Sequence, residues 1–194
     1  MLAAVRAAAV VGIDAYDVTV EVDVANGLPS FTLVGLASGA VQESRERVIA
    51  ALANSGLALP PRKTTVNLSP ADRPKSGTAF DLPIALAMLC AHGALDAARL
   101  RDLVVVGELG LDGSLRPVRG VLPIARRAAR TAGRTLVVPP GNVAEAALVS
   151  SLPLATARTL GELVSALRVG RLPAPDRIRA QAPDEDVRED FADV

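Results

Sequence analysis

The sequence contains few of the residues on which disulfide-rich, metal-binding and base-stacking proteins depend. Its 194 residues include one cysteine, one histidine, three phenylalanines, one tyrosine and no tryptophan. A single cysteine excludes an internal disulfide framework, and together with a single histidine it argues against a zinc site. So few aromatic rings also argue against a stacking platform for single-stranded nucleic acid.

Long hydrophobic runs are missing too. No stretch of about 20 apolar residues occurs, so we expect no membrane-spanning segment. The apolar run at the start of the chain, MLAAVRAAAVVGIDA, is interrupted by Arg6, and Asp14 and Asp17 follow it at once, which argues against a secretory signal. These features predict a cytoplasmic protein.

One long segment lacks acidic residues, although the net charge of the chain is zero. Between Asp112 and Glu145 there is no aspartate or glutamate. Six arginines lie in that segment: Arg116, Arg119, Arg126, Arg127, Arg130 and Arg134. Such local asymmetry hints at a polyanionic partner.

The spacing of three of these arginines predicts a common surface. Arg119, Arg126 and Arg130 are seven and four residues apart, so a helix would carry them on one face. That face is a candidate for binding DNA phosphates without sequence preference. The alternative is a solvated face, or an interface between subunits in which the arginines meet carboxylates such as Glu43 and Glu46.

The order of the predicted elements indicates an α/β (α+β) protein, with helices packed on a mixed sheet. Three strands come first, and in the second of them valines alternate with polar residues, which predicts an antiparallel region with one wet face. Helices are predicted over residues 38–56, from about residue 80 to 91, up to Gly133, and over 142–149. Ser38 is the predicted cap of the first and Asn142 of the last, and the apolar stripe of the first consists of Val41, Val48, Ile49 and Leu52. Residues 171–194 are rich in proline and charge, so we divide the chain into a domain, 1–170, and a linker.

The loop PADRPKSGTAF, residues 70–80, has the composition of a phosphate-binding or nucleophile loop. Lys75 precedes the only glycine of the loop, so the P-loop spacing G-x-x-x-x-G-K-[ST] is absent. Ser76 or Thr78 would be the nucleophile if a desolvated lysine served as the base. Because Lys75 adjoins Ser76 on a loop, we expect it to point into solvent, with a hydroxyl that only caps the following helix.

Five blocks of sequence resemble the amino-terminal domain of the ComM/YifB family of magnesium-chelatase-like AAA+ ATPases. They are VGIDAYDVTVEVDVANGLPSFTLVGL, ESRERVIAALANSG, VNLSPADRPKSGTAFDLPIALAML, VVGELGLDGSLRPVRGVLPIARRAA and VVPPGNVAEAALV. The resemblance covers about residues 4 to 170 in the same order. It implies the fold of ribosomal protein S5 domain 2, which the proteolytic domain of Lon shares.

The resemblance also implies what the domain does not do. Lon's nucleophilic serine would fall at Ala79 of the loop that contains Lys75, Ser76, Gly77 and Thr78, and Lon's lysine would fall at Leu122. Neither side chain can perform that chemistry, so the resemblance implies a non-catalytic domain with no metal or other cofactor of its own. Walker motifs do not occur in the chain, and ATP and Mg²⁺ are expected only for the full-length protein, whose AAA+ module would follow residues 171–194.

The resemblance implies that the full-length protein is a hexameric branch-migration helicase acting on DNA in recombination and natural transformation. In that setting this domain would serve assembly, DNA handling or both. Two alternatives stay open at this point: a residual peptidase that uses Ser76 or Thr78, and a subunit of the magnesium-chelatase type.

Overall fold

The computed structural model describes residues 1–175, and in this part nine strands form two sheets. The larger sheet has seven strands in the order β3-β4-β2-β1-β5-β8-β9, and β6 and β7 form the smaller one. The strands are β1 (Leu2–Val11), β2 (Asp14–Ala25), β3 (Ser30–Val34), β4 (Lys63–Ser69), β5 (Leu103–Val105), β6 (Glu108–Leu109), β7 (Leu115–Arg116), β8 (Thr135–Val138) and β9 (Leu154–Thr156).

Helices connect most of these strands. In the described residues they are α1 (Gly39–Gln42), α2 (Ser44–Asn54), α3 (Asp81–Ala91), α4 (Val121–Ala129), α5 (Val143–Ala146) and α6 (Leu160–Val169). Two single turns of 3-10 helix, Ala97–Leu100 and Pro140–Asn142, complete the set. The mixed sheet with packed helices confirms the predicted α/β (α+β) class.

Strand β2 is antiparallel to both of its neighbours, as its alternating valines predict. β1 and β2 form a hairpin that turns at Gly12, which has a positive φ of 61°. β4 pairs antiparallel with β2 and parallel with β3. β4 therefore lies between β2 and β3, and the bend at Asn26 and Gly27 does not close a hairpin.

Alternation along each strand produces two apolar cores, one on each face of the sheet. On β1, Ala7 and Ala9 belong to the core beneath α2, α3 and α6, whereas Ala8 belongs to the core beneath α4 and α5. Every residue of α3 is buried, as its continuous apolar sequence predicts. The second face is covered only in part, since Asp17 and Asp23 of β2 are exposed there.

Several local predictions are wrong. The segment predicted as one helix over 38–56 divides into α1 and α2, and the hydroxyl of Ser38 caps neither. Ile49, which the apolar stripe predicts to be buried, is 42% exposed. Asn142 does not cap α5, because its side chain binds the main-chain N–H and C=O of Val118 at 2.9 and 2.8 Å.

The predicted linker begins within the described part of the chain. After α6 the chain returns to β9, where the N–H of Thr156 donates to the carbonyl of Pro173 at 3.0 Å. Residues 176–194, the remainder of the predicted linker, lie outside the described residues.

Candidate functional site

The lysine of the 70–80 loop is buried, which contradicts the prediction that it points into solvent. Lys75 has no exposed surface, and its Nζ donates to the carbonyl of Pro70. Its main chain bonds to Leu36 and Ser38, at 3.1 and 2.9 Å, and this pairing turns the side chain inward. Burial lowers the pKa of the Lys75 amine, and the nearby carboxylate of Asp72 opposes that shift.

The residues after Lys75 line a cleft of about 530 Å³. Ser76, Gly77, Thr78 and Ala79 form one wall of it. The end of β1, Glu108, and the turn before α4 with Arg119 and Gly120 form the other walls. The structure therefore brings the predicted loop and one predicted arginine to the same cavity.

The two positions that match the Lon dyad lie in different surroundings. Ala79 lines the cleft, but Leu122 is not among the residues that line it. The N–H of Leu122 donates to Oε1 of Glu145 at 2.8 Å, at the first turn of α4. Lys75 binds Pro70 rather than Ser76, so in residues 1–175 the structure shows no hydrogen-bonded serine–lysine pair in the cleft.

A buried ion pair fixes the helix that follows the loop. Arg47 of α2 donates from Nε and Nη2 to the two carboxylate oxygens of Asp81 at 2.6 and 3.0 Å, and Asp81 has no exposed surface. The N–H of Leu109 donates to the same carboxylate at 3.3 Å. Burial raises the pKa of the Asp81 carboxyl above its ordinary value, although the hydrogen bond and charge of Arg47 oppose this shift. The hydrogen bond with Asp81 in turn raises the pKa of Arg47.

The sequence pattern does not reveal this pair, because Arg47 lies among Gln42, Arg45 and Glu46, a composition typical of a solvated helix face. Its partner is 34 residues away in the sequence. One signal was available: Asp81 begins an otherwise apolar helix, and a carboxylate at such a position requires a cationic partner.

The six arginines between Asp112 and Glu145 do not all share one helical face. α4 begins only at Val121, after Gly120, which adopts a left-handed conformation with φ 76°. Arg119 therefore precedes the helix and lines the cleft, which corrects the prediction that it continues the stripe of Arg126 and Arg130. Arg116, Arg119, Arg126 and Arg130 are exposed, whereas Arg127 and Arg134 are partly buried.

One of these arginines is already paired within the chain. Arg127 donates to both carboxylate oxygens of Asp17, at 2.8 and 3.2 Å. This hydrogen bonding lowers the pKa of Asp17, with further contributions from the charges of Arg134 and Arg6. The arginines of α4 and the turn of the β1–β2 hairpin therefore form a mainly positive region that also contains the carboxylates of Asp17 and Asp14.

The acidic residues suggested as partners of the arginine stripe pair elsewhere. Glu43 lies 3.6 Å from Arg47, and Glu46 lies 3.0 Å from Arg45. Both glutamates remain largely exposed, at 75% of the side chain. Within one copy of the domain, these glutamates therefore pair with arginines of α2 and not with those of α4. Their contact with α4 of another copy remains a prediction.

Residues 1–175 provide neither a cluster of metal ligands nor a membrane-spanning helix. No group of three or more His, Cys, Asp or Glu side chains in this part could hold a metal ion. Its helices are all too short or too polar to cross a bilayer. Cys90 is buried, and burial raises the pKa of its thiol to about 11, so it is a poor nucleophile or ligand.

A family model and several curated proteins match this chain. The model of the family described as subunit ChlI of Mg-chelatase matches residues 20–142. Competence protein ComM of Haemophilus influenzae is 46% identical over 166 residues, which cover 86% of this chain and 32% of ComM. Protein YifB of Salmonella typhimurium is 47% identical over 149 residues, or 77% of this chain and 29% of YifB.

An uncharacterized protein of Mycobacterium tuberculosis is 43% identical over 181 residues, or 91% of this chain and 36% of that protein. The chain thus spans about a third of the length of the curated relatives it matches.

Proposed function

The chain belongs to the family of subunit ChlI of Mg-chelatase, and we propose from this membership that it is a non-catalytic domain of a ComM-like AAA+ ATPase. In this proposal the whole protein is a cytoplasmic DNA branch-migration helicase that acts in recombination and natural transformation. It works as a hexameric ring, and its ATP and Mg²⁺ bind outside this chain. The present domain serves assembly of the ring, DNA handling or both.

The observation that carries DNA handling is the arginine surface of α4. Arg126 and Arg130 are exposed, four residues apart, and no acidic residue follows them before Glu145. Neither has an ion pair with another described residue. Arginines in this state are available to phosphate groups, and contacts of this kind position a protein on DNA without reading its sequence.

The loop and cleft support a role without catalysis. Ala79 supplies no nucleophile, and the amine of Lys75 is already bound to the carbonyl of Pro70. A residual peptidase is the second candidate, favoured by the hydroxyls of Ser76 and Thr78 at the cleft. Labelling by a fluorophosphonate that the change Ser76→Ala abolishes would support that second candidate.

Titration of forked DNA with the protein, followed by fluorescence anisotropy at two salt concentrations, tests DNA handling. We expect salt-dependent binding, with a slope that falls by about one unit for each phosphate contact removed. The double change Arg126→Glu and Arg130→Glu should weaken binding strongly. The matched control is Arg158→Glu with Arg168→Glu, an equal charge change at and next to α6.

Sedimentation of the same variants separates the two roles. If the charge reversals on α4 leave DNA binding intact but dissociate oligomers, the surface is an interface between subunits. A folded protein that binds no DNA at either salt concentration would contradict the DNA-handling role.

A further inference from the structure

Strand β3 forms one end of the seven-stranded sheet, and its outer edge is open. β3 is held firmly, because it pairs with β4 along all of Ser30–Val34, whereas β1 and β5 pair only at Arg6 and Val104. No other strand pairs with β3 within residues 1–175. At the opposite end of the sheet the chain covers part of β9, where the N–H of Thr156 donates to the carbonyl of Pro173 at 3.0 Å. The main-chain groups of β3 that face away from β4 are therefore available to a further strand.

The sequence of this edge lacks the features that usually keep edge strands from pairing. Such strands are commonly protected by charged side chains, by a proline or by a bulge. Residues 28–36, LPSFTLVGL, carry no charge, their proline precedes β3, and β3 pairs with β4 in an unbroken register. Apolar side chains flank the strand in solvent, since Leu28 is 88% and Leu36 is 60% exposed. An uncharged edge with exposed apolar flanks favours a partner strand over solvent.

The residues of β3 are complementary to themselves when two copies of the strand run antiparallel. If Thr32 lies opposite Thr32 of a second copy, Phe31 lies opposite Leu33 and Ser30 lies opposite Val34, in both directions. Phe31 and Leu33 pack against the core beneath α2, α3 and α6, so each apolar residue there meets an apolar residue. Ser30, Thr32 and Val34 are exposed on the other face. The pairing therefore continues the apolar face of the sheet into a second copy.

The surroundings of the edge are also self-complementary. Leu28 and Leu36 are each four residues from Thr32, so a twofold axis at Thr32 brings Leu28 of one copy towards Leu36 of the other. On α2, Arg45 lies over the aromatic ring of β3 at 6.0 Å and pairs with Glu46 at 3.0 Å. A patch that meets its own copy must complement itself, and two adjacent charges of opposite sign satisfy this requirement.

We propose that β3 pairs with β3 of a second copy of this chain, antiparallel across a twofold axis at Thr32, so that two sheets become one continuous sheet. Head-to-tail pairing of β3 with β9 is disfavoured, because Pro173 already accepts from the outward N–H of Thr156. The contact does not involve the arginines of α4, so it is independent of the DNA handling proposed for that helix.

Sedimentation velocity of the intact 194-residue protein over a range of concentrations tests the association. We expect a monomer–dimer equilibrium. The change Thr32→Lys places like charges opposite each other at the axis, and it should raise the dissociation constant of the dimer about a hundredfold. A protein that is monomeric at all concentrations, or a dimer that withstands Thr32→Lys, would overturn the proposal.

Two control variants show whether the effect belongs to this edge. Thr19→Lys is the same change on the same face of the sheet, two strands away on β2, and it should leave the dimer unchanged. The double change Arg126→Glu and Arg130→Glu should also leave the dimer intact, whatever its effect on DNA binding. Dissociation of the dimer by either control to the same extent as by Thr32→Lys would contradict pairing through β3.

Cysteine cross-linking tests the register. Opposite residues of an antiparallel pair have Cα atoms about 4.5–5.5 Å apart, a distance that a disulfide can bridge. Thr32→Cys should therefore form a cross-linked dimer under mild oxidation, and the native Cys90 is buried and should not compete. The two copies of Ser30 would lie about 14 Å apart, so Ser30→Cys should cross-link only when mixed with Val34→Cys. Cross-linking of Ser30→Cys alone as efficient as that of Thr32→Cys would overturn the proposal.

Discussion

Two arginine–carboxylate pairs, one on each face of the sheet, have similar geometry and different surroundings. Arg47 contacts Asp81 at 2.6 and 3.0 Å, and Arg127 contacts Asp17 at 2.8 and 3.2 Å. The side chains of the first pair are 19% and 0% exposed, whereas those of the second are 37% and 58% exposed.

The difference shows that burial, rather than the distance between the charges, determines what such a pair does. A buried charge depends on its partner, because removing the partner leaves it without solvent or counter-charge. In an exposed pair, each charge stays in contact with water when its partner is removed, and salt screens the attraction between the two charges. The pair on α2 and α3 therefore fixes the fold, while the arginine on α4 remains available to a competing anion.

The change Arg47→Met should have the largest effect. It leaves the carboxylate of Asp81 buried and without its cation, and we expect a loss of about 3 kcal/mol in the free energy of unfolding. Urea denaturation measures it, with Arg45→Met, an exposed neighbour on α2, as the control. The double change Arg47→Met with Asp81→Leu should recover part of the loss, because no buried charge then remains. A double variant less stable than Arg47→Met would contradict this explanation.

The change Arg127→Met should cost much less, under about 1 kcal/mol at low ionic strength. Its effect should nearly vanish in 1 M salt, where screening acts over about 3 Å, whereas the effect of Arg47→Met should persist. The same urea experiment at two salt concentrations checks both variants. Equal losses for the two arginines would show that burial does not separate the pairs.

The smallest effect concerns the titration of Asp17. Hydrogen bonding from Arg127 holds its pKa below the ordinary value of 3.8 in the folded protein. Its contribution to stability is therefore present above pH 3.8 and is lost as the pH falls through the folded-state pKa. Carboxyl NMR should report that low pKa, and Arg127→Met should move it upwards. An unchanged pKa would mean that Arg6 and Arg134, rather than Arg127, determine it.

The sequence predicts the parts of this structure that depend on local pattern. The valines of β2 alternate with polar residues, and the structure buries the valines and leaves the polar residues exposed or half-buried. The apolar sequence of α3 predicts its complete burial. Both predictions succeed because a period of two, or the absence of any polar face, is a property of adjacent residues.

The parts that were not predicted depend on contacts between distant segments. Nothing near Arg47 in the sequence indicates Asp81, and nothing near Lys75 indicates that its main chain pairs with residues 36–38. Spacing predicts Arg119 on the helix, because it does not show that Gly120, the next residue, is left-handed. The cleft likewise arises only when the 76–79 loop and the turn before α4 meet the end of β1.

The short contact between β1 and β5 also bears on how the domain transmits force. Strands β3, β4, β2 and β1 form one part of the sheet and β5, β8 and β9 the other, and within residues 1–175 the two parts pair only at Arg6 and Val104. A pull applied near residue 175, beside β9, would pass through β8 and β5 and meet that position before reaching β1. Few main-chain hydrogen bonds between β1 and β5 resist this force, so the side chains packed beneath α3 and α4 must carry it. Under tension, the two parts of the sheet are therefore held together mainly by the apolar cores on its two faces.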